Sequence, residues 1–192
     1  MTQAQLNEVK KFAKKAYAKT LDPQHDFVHV DRVAKKAIKI VEILKLGREI
    51  DVNLLQAACY LHDLAFIKHK PGFVTWLRET RYLKDILPGI LKQFRLAETD
   101  RYILSEAVYR HTWAFPFRFL NRKYSLYAQI VQDADMLDSI NKARVLGLNE
   151  SKKLYRFYRF LTLFSGLFVK RMKKKMASYL NLPQILEYLK EE

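Results

Sequence analysis

Apolar residues recur every three to four positions along most of the chain, a spacing that places them on one face of an α-helix. This pattern predicts a first helix over residues 3–19 and a second over residues 26–46, with Gly47 as the C-cap of the second. A third helix is predicted to begin at Asp51 or Asn53, to follow an almost wholly apolar run and to end at a His-Asp pair.

The rest of the chain continues the helical pattern. Pro71 and Gly72 predict a loop over 68–72, and Pro88 is expected to divide residues 75–94 into two short helical pieces. An irregular segment rich in aromatic and basic residues follows position 111. Further helices are predicted over 100–110 after a Thr99 cap, over 126–140, over 149–160 after an Asn149 cap, and in two segments to 189, the last one starting at Pro183.

Composition favours one helical domain. Of the 192 residues 49% are hydrophobic, which is enough for one core, and only 5 are Gly and 5 are Pro, which indicates long helices with few tight turns. The sequence shows neither the alternation typical of β-strands nor a repeat or a linker. The predicted architecture is therefore all-α, a single compact helical domain over residues 1–192.

Cys59 is the single cysteine, so no disulfide can form within the chain and a reducing, intracellular compartment is expected. Residues 1–17 lack the apolar core of a signal peptide. The longest apolar run, over 160–169, is interrupted by polar residues and is too short to span a bilayer. These features predict a cytoplasmic protein without a transmembrane segment.

The formal net charge of +15 favours anionic partners by long-range attraction. Nucleotides, nucleic acids and membrane surfaces all qualify, and a solvated basic surface without a dedicated partner is the alternative. Three segments mix cations with aromatic residues, a composition that allows phosphate contacts together with base stacking; they cover 118–124, 152–160 and 170–176. At helical spacing, however, such aromatic residues more often belong to a core.

Histidine and aspartate residues recur at separated points of the chain, as a metal site assembled from several helices requires. Two imidazoles and two carboxylates form a mixed nitrogen and oxygen set that suits Mn, Fe, Co, Ni, Zn or Mg rather than an ion that demands thiolates. With four protein ligands, coordination positions remain for water and substrate, and such a metal activates water and polarises a phosphoryl oxygen. The candidates are His29, His62, Asp63, Asp133, Asp135 and Asp138.

Each of these residues also has a plain structural interpretation. The His62-Asp63 pair is compatible with a hydrogen bond at a helix end. The acidic triplet over 133–138 is compatible with a solvated face, and His25 and His29 are compatible with ordinary histidines on a shared face at a helix start. The order and spacing of all the pieces together favour the metal site.

The combined motif reads H-D-x-x-H-x-x-R-V over 25–33, L-H-D over 61–63 and D-A-D-x-L-D over 133–138. It resembles the HD-domain superfamily of metal-dependent phosphohydrolases, and in particular its compact, stand-alone members. The similarity covers about residues 20–180. The resemblance implies an HD-type helical fold and a metal-dependent activity, but it does not select a substrate.

The resemblance also implies a metal held by His29, His62, Asp63 and Asp135. It favours Asp135 over Asp133 because divergent members keep an Asp just before the x-L/W-D portion of the motif. Asp133 is then expected to orient a ligand or a neighbouring backbone group, and Asp63 is expected to orient the attacking water as well as to bind the metal.

Other residues are expected to contact phosphate or to support the ligands. His111 resembles a histidine that many members place at a helix end facing the metal, where it would donate a proton or a hydrogen bond to a phosphate oxygen; a helix C-terminal cap is the alternative. The further candidates are His25, Arg32, Lys68, His69, Arg118 and Arg122.

The chain departs from the family pattern directly after the His-Asp pair. Many active relatives carry an acidic residue or a histidine there for proton transfer, whereas this chain has Leu-Ala-Phe-Ile over 64–67. The apolar Phe66 cannot carry a proton. Either His69 or His111 takes that role, or a metal-activated water suffices, or hydrolysis is weak.

These observations predict a metal-dependent phosphohydrolase that acts on a nucleotide or another small phosphorylated molecule through a metal-activated water. The alternatives are an HD protein that binds a phosphorylated ligand with weak or no turnover, and a basic nucleic-acid-binding protein, which is less favoured. The substrate, the number of metals and the oligomeric state are not specified by the sequence.

Overall fold

The computed structural model describes residues 1–112 and 124–186, apart from the side chains of residues 149, 164–169 and 171–173. Over these ranges the secondary structure is helical and contains no strand, which confirms the predicted all-α class. The helices are α1 Gln3–Tyr17, α2 Phe27–Ile43, α3 Val52–Leu61, α4 Ala65–Lys68, α5 Phe73–Leu91, α6 Glu98–Arg110, α7 Leu126–Ser139, α8 Lys142–Leu154 and α9 Arg156–Tyr179.

Side-chain caps begin the first three helices close to the predicted positions. Thr2 caps α1 by accepting a hydrogen bond from the backbone N–H of Gln5. Asp26 caps α2 by accepting from the backbone N–H of His29, and Asp51 caps α3. Each cap satisfies an N–H group that has no partner inside its own helix. The α2 cap thereby places His29 in the first turn of that helix.

The structure differs from the prediction at Pro88, because α5 continues through this residue as one helix. A proline inside a helix costs about 3 kcal/mol through its missing N–H and its clash with the preceding turn. The α5 helix, however, buries Leu83, Leu87 and Leu91 completely on one face, and each buried leucine contributes about 1.5–3 kcal/mol. Core packing therefore outweighs the local preference.

Two helix boundaries in the first half were also predicted wrongly. The α2 helix ends at Ile43, and the left-handed residue after it is Lys45, with φ of 55°, rather than Gly47. The turn closes because the Leu46 N–H donates to the carbonyl of Val41 at 2.9 Å, as in a Schellman motif. The α6 helix begins at Glu98, one residue before the predicted Thr99 cap.

The predicted helix from Asn149 through Phe160 is replaced by two helices. Asn141 caps α8 through its side chain, so Asn149 lies inside that helix. The chain is extended at Tyr155, which ends α8 and begins α9. Pro183 precedes a helical turn that begins at position 185, close to the expected start.

The core lies between α2, α3 and α7, with α1 and α6 packed against α3. The inner face of α2 supplies Val30, Val33, Ala34 and Ala37, all of them buried. The α3 helix is buried on nearly every side, as its continuous apolar sequence requires. This packing brings the start of α2, the end of α3 and the middle of α7 to one place.

The α9 helix is the longest of the described helices and packs against α8. It buries Tyr158 and Met176 and exposes Phe160 and Leu163. Over the part of the chain that the structure describes, no helix has both the length and the apolar character needed to cross a bilayer.

Candidate metal centre

Three core helices bring four polar side chains together. His29 projects from the first turn of α2, His62 follows the last residue of α3, Asp63 is the next residue, and Asp135 lies in the middle of α7. The side chains of His29, His62 and Asp63 are at most 4% exposed, and that of Asp135 is 22% exposed. The cluster is therefore closed on the core side and open to solvent on the side of Asp135.

Three of the four separations between donor atoms of the cluster match those of a metal complex. Nε2 of His29 is 3.0 Å from Oδ2 of Asp63 and 3.3 Å from Oδ1 of Asp135. Nε2 of His62 is 3.2 Å and 4.0 Å from the same two oxygens. Ligands that bind one ion at about 2.0–2.2 Å stand roughly 3–3.5 Å from one another. The structure thus brings together the four residues that the motif predicted as ligands; their metal-binding role stays a prediction.

Two atoms of the cluster are buried without a hydrogen bond. They are Nε2 of His62 and Oδ2 of Asp63, and an unsatisfied buried polar atom costs about 1–3 kcal/mol. Nδ1 of His62 donates to the carbonyl of Cys59 at 2.7 Å, so its Nε2 presents a lone pair to the cluster. A divalent metal fits these two lone pairs and the neighbouring nitrogen and oxygen donors, and its binding would remove the penalty.

Asp138 orients His29 from the outer side of the cluster. Its Oδ2 accepts from Nδ1 of His29 at 2.8 Å, which directs Nε2 of the ring inward. The same carboxylate pairs with Arg32 and Lys36 of α2. Burial opposes ionisation, but the hydrogen bonds from His29, Arg32 and Lys36 hold the pKa of Asp138 well below its usual range. Arg32 was expected to support the ligands or to contact phosphate, and in the structure it forms an ion pair with Asp138.

His111 follows α6 and faces the cluster. Its ring lies 4.8 Å from that of His62, and its Nε2 is 3.9 Å from Oδ1 of Asp63. Its Nδ1 donates to the carbonyl of Val108, and its Nε2 is 3.2 Å from Oε1 of Glu79. Burial disfavours the charged ring, but Glu79 outweighs this effect and raises the pKa of His111 to about 9.

Sequence reasoning missed Glu79, although a signal was present. Glu79 is 4% exposed and lies on the inner face of α5, four residues after Thr75 and four before Leu83. A carboxylate at a position where helical spacing predicts a core residue requires a partner. That partner is His111, so an acidic group does reach the cluster, from α5 rather than from the segment after the His-Asp pair.

His25 lies in the turn directly before the Asp26 cap of α2. Its ring stacks on that of Phe66, with centroids 4.0 Å apart and planes at 10°. Its Nδ1 is 2.8 Å from the buried Asp22, whose carboxylate also accepts from Tyr158 of α9. Phe66 therefore holds His25 at the edge of the cluster, with Nε2 4.0 Å from Asp63.

Three of the remaining predicted residues lie away from the cluster. Lys68 is exposed and lines a groove beside Phe12, and His69 stacks on Tyr82 with ring centroids 3.7 Å apart. Asp133 is fully buried and accepts hydrogen bonds from the segment after α9. Arg118 and Arg122 fall outside the described residues.

Arg144 of α8 enters the cluster without any signal in the sequence. Its Nη1 contacts Nδ1 of His29 and lies 2.8 Å from Nε2 of the same ring, and its Nη2 is 3.0 Å from Nε2 of His25. Nη1 is also 3.7 Å from Oδ1 of Asp135. Although burial opposes ionisation, His29 and then Arg144 hold the pKa of Asp135 well below its usual range. The carboxylate is therefore available to a cation at neutral pH.

Over the described residues, a helical fold thus encloses His and Asp side chains that could hold a metal ion. The family model described as HD domain matches residues 26–140, which contain all four predicted ligands. The chain therefore belongs to the HD domain family.

Three solved structures share the fold. A protein from Lactobacillus plantarum is 25% identical with a TM-score of 0.55; the match covers 76% of this chain and 62% of that one. A predicted HD superfamily hydrolase from an uncultured Thermotogales bacterium is 21% identical, covers 88% and 92%, and has a TM-score of 0.53. Bacillus subtilis YpgQ in complex with ADP is 17% identical, covers 98% and 93%, and has a TM-score of 0.51. No curated protein matches the chain.

Proposed function

We propose that this protein hydrolyses a nucleotide or another small phosphorylated compound in a metal-dependent reaction. The observation that carries the proposal is the convergence of four donor atoms, two of them buried without a hydrogen bond. Membership of the HD domain family supports the reaction class. The crystal structure of YpgQ with ADP, a protein of the same fold, supports a nucleotide as the first compound to test.

The residues that would hold the metal are His29, His62, Asp63 and Asp135. A divalent ion bound there supplies Lewis-acid chemistry: it lowers the pKa of a water and neutralises charge on a phosphoryl oxygen. Asp63 presents Oδ2 to the other donors and Oδ1 toward His111. Asp63 is the residue that we assign to accept a hydrogen bond from the attacking water and to orient it.

His111 lies beside Asp63 and is the residue that would supply a proton. Because Glu79 raises its pKa to about 9, its ring is protonated at neutral pH. When water adds to phosphorus, the bond to the leaving oxygen breaks and that oxygen needs a proton. His111 is the group we assign to this transfer, and Glu79 holds it in the protonated form. This pair favours turnover over a protein that only binds its ligand.

The test is a phosphate-release assay on chelator-treated protein that is reloaded with Mn²⁺, Fe²⁺, Co²⁺, Ni²⁺, Zn²⁺ or Mg²⁺. Nucleoside mono-, di- and triphosphates are the first substrates. The His62→Ala variant is expected to lose at least about 100-fold in activity, because the ligand is deleted from a site that activates water. Tyr102→Ala, which removes an exposed ring of α6, should retain full activity.

Circular dichroism and direct metal titration accompany the assay, so that a misfolded variant is recognised. Activity that survives both the chelator and His62→Ala would refute the mechanism. Tight nucleotide binding without turnover across all the metals would instead favour the ligand-binding alternative.

A further inference from the structure

Arg144 is held in the cluster by unusual partners. Its side chain is 13% exposed and reaches from the first turn of α8 to the two imidazoles of His25 and His29. A guanidinium carries a full charge and normally binds a carboxylate or phosphate through two parallel hydrogen bonds. Its contacts with Asp135 and Asp138 are both 3.7 Å, which is too long for a hydrogen bond.

The carboxylates near Arg144 are committed to other groups. Asp138 already accepts from Arg32, Lys36 and His29. Asp135 and Asp63 are the oxygen ligands of the proposed metal. Within the described part of the chain, the guanidinium therefore contacts the rings of His25 and His29 and has only long contacts to anions. Among these residues, no carboxylate accepts the two parallel hydrogen bonds that a guanidinium can donate.

Arg144 lies against the ring of a predicted metal ligand. Its Nη1 contacts Nδ1 of His29 and lies 2.8 Å from Nε2 of the same ring. A divalent metal held by His29 would bring two positive charges against the guanidinium, which would then move away from the ring. Its long side chain lets it turn toward the solvent side of the cluster, where Asp135 is partly exposed.

We propose that Arg144 is the residue that binds the phosphoryl group of the substrate. Its side chain moves away from the ring of His29 when a metal is bound and donates hydrogen bonds to two phosphoryl oxygens. The inference rests on the proposed function. The charges support it, because Asp63 and Asp135 balance a divalent ion and leave the charge of Arg144 for an anion. Its fork of donors, which now spans His25 and His29, matches the spacing of two phosphoryl oxygens.

The variants Arg144→Gln and Arg144→Lys test this role with two readouts that need no turnover. The first is the affinity for Mn²⁺, measured by calorimetry on chelator-treated protein. Since the positive charge of Arg144 opposes that of a metal held beside it, Arg144→Gln should bind Mn²⁺ at least as tightly as the wild type. A residue that merely supports the ligands would show the opposite, weaker Mn²⁺ binding after its removal.

The second readout is the affinity of the Mn²⁺-loaded protein for inorganic phosphate. Arg144→Gln should weaken it by about 10–100-fold, as the loss of a hydrogen-bonded charge pair does, and Arg144→Lys should lie between because lysine keeps the charge without the fork. Arg159→Gln, on the exposed side of α9, is the matched control and should bind like the wild type.

Wild-type phosphate affinity in Arg144→Gln would overturn the inference even if the protein hydrolyses nucleotides. A wild-type protein loaded with Mn²⁺ that binds no phosphate would also count against it. If phosphate binding depends on Arg144 but no compound is hydrolysed, the inference holds and the proposed function fails. Thermal unfolding of each variant shows that it is folded.

Discussion

The buried pair of Glu79 and His111 predicts a pH-dependent contribution to stability that one substitution can isolate. Both side chains are at most 5% exposed, and Nε2 of His111 is 3.2 Å from Oε1 of Glu79. Replacing Glu79 with glutamine keeps the shape of the side chain and removes its charge. The Glu79→Gln variant therefore reports on the ion pair rather than on packing.

The size of the effect follows from the pKa of His111, which is raised from 6.5 to about 9. This difference corresponds to about 3 kcal/mol of interaction in favour of the charged ring. Burial works against the charged ring, and Asp63 and the carbonyl of Val108 also stabilise it. We therefore expect Glu79→Gln to lower the free energy of unfolding by about 2 kcal/mol at pH 6.

The pH dependence has a defined sign. Because the folded-state pKa lies above the unfolded-state value, the stabilisation is fully present below about pH 6.5 and disappears as the pH rises through about 9. Above that pH the ring is neutral and its Nε2 lone pair faces the Glu79 carboxylate, whereas a glutamine amide can donate to it. The wild type and the variant should therefore have equal stability near pH 10, or the variant should be the more stable.

Urea denaturation of both proteins between pH 6 and pH 10, with a chelator and again with Mn²⁺, measures this difference. The control is Glu150→Gln, which removes the exposed partner of Lys153 and should change stability by less than about 1 kcal/mol at every pH. A difference between wild type and Glu79→Gln that stays constant across the pH range would refute the assignment of a charged His111.

Two further predictions concern residues around the cluster. Asp138→Asn should weaken Mn²⁺ binding by about 10–100-fold, because the carboxylate that orients His29 is lost; competition with a fluorescent chelator measures it, and unchanged affinity would contradict the supporting role. Tyr158→Phe should lower the free energy of unfolding by about 1.5–3 kcal/mol, because its hydroxyl donates to the buried carboxylate of Asp22. Guanidinium denaturation measures that loss, and a change below about 0.5 kcal/mol would exclude a net contribution from this bond.

Helical periodicity and the motif spacing predicted much of what the structure contains. The positions of α1 and α2 followed from their apolar faces, and that of α3 followed from its almost continuous apolar run. The convergence of His29, His62, Asp63 and Asp135 could be expected from the motif, although their role as ligands remains to be tested. The continuity of α5 could not, because it depends on the burial of leucines that the local rule for Pro88 ignores.

Contacts that depend on tertiary packing were not accessible from the sequence. Arg144 belongs to an ordinary basic stretch at the start of α8, and nothing local indicates that it reaches His29, 115 positions earlier. Asp22 likewise meets Tyr158 only because α9 returns to the start of α2. The burial of Glu79 could have been predicted, because helical spacing puts it on an apolar face of α5. Its partner, His111, could not.

The hydrogen bonds of Asp133 tie the centre of the molecule to its last described segment. Its carboxylate, buried in α7 two residues before Asp135, accepts from the backbone N–H groups of Asn181 and Leu182 and from the Asn181 side chain. Shortening the chain to residue 180 would remove these three donors from a carboxylate that is fully buried in the intact structure. Asn181 and Leu182, which are far from the proposed ligands in the sequence, thus help to hold α7 and its Asp135 in position. A truncation that removes them is expected to disturb the site.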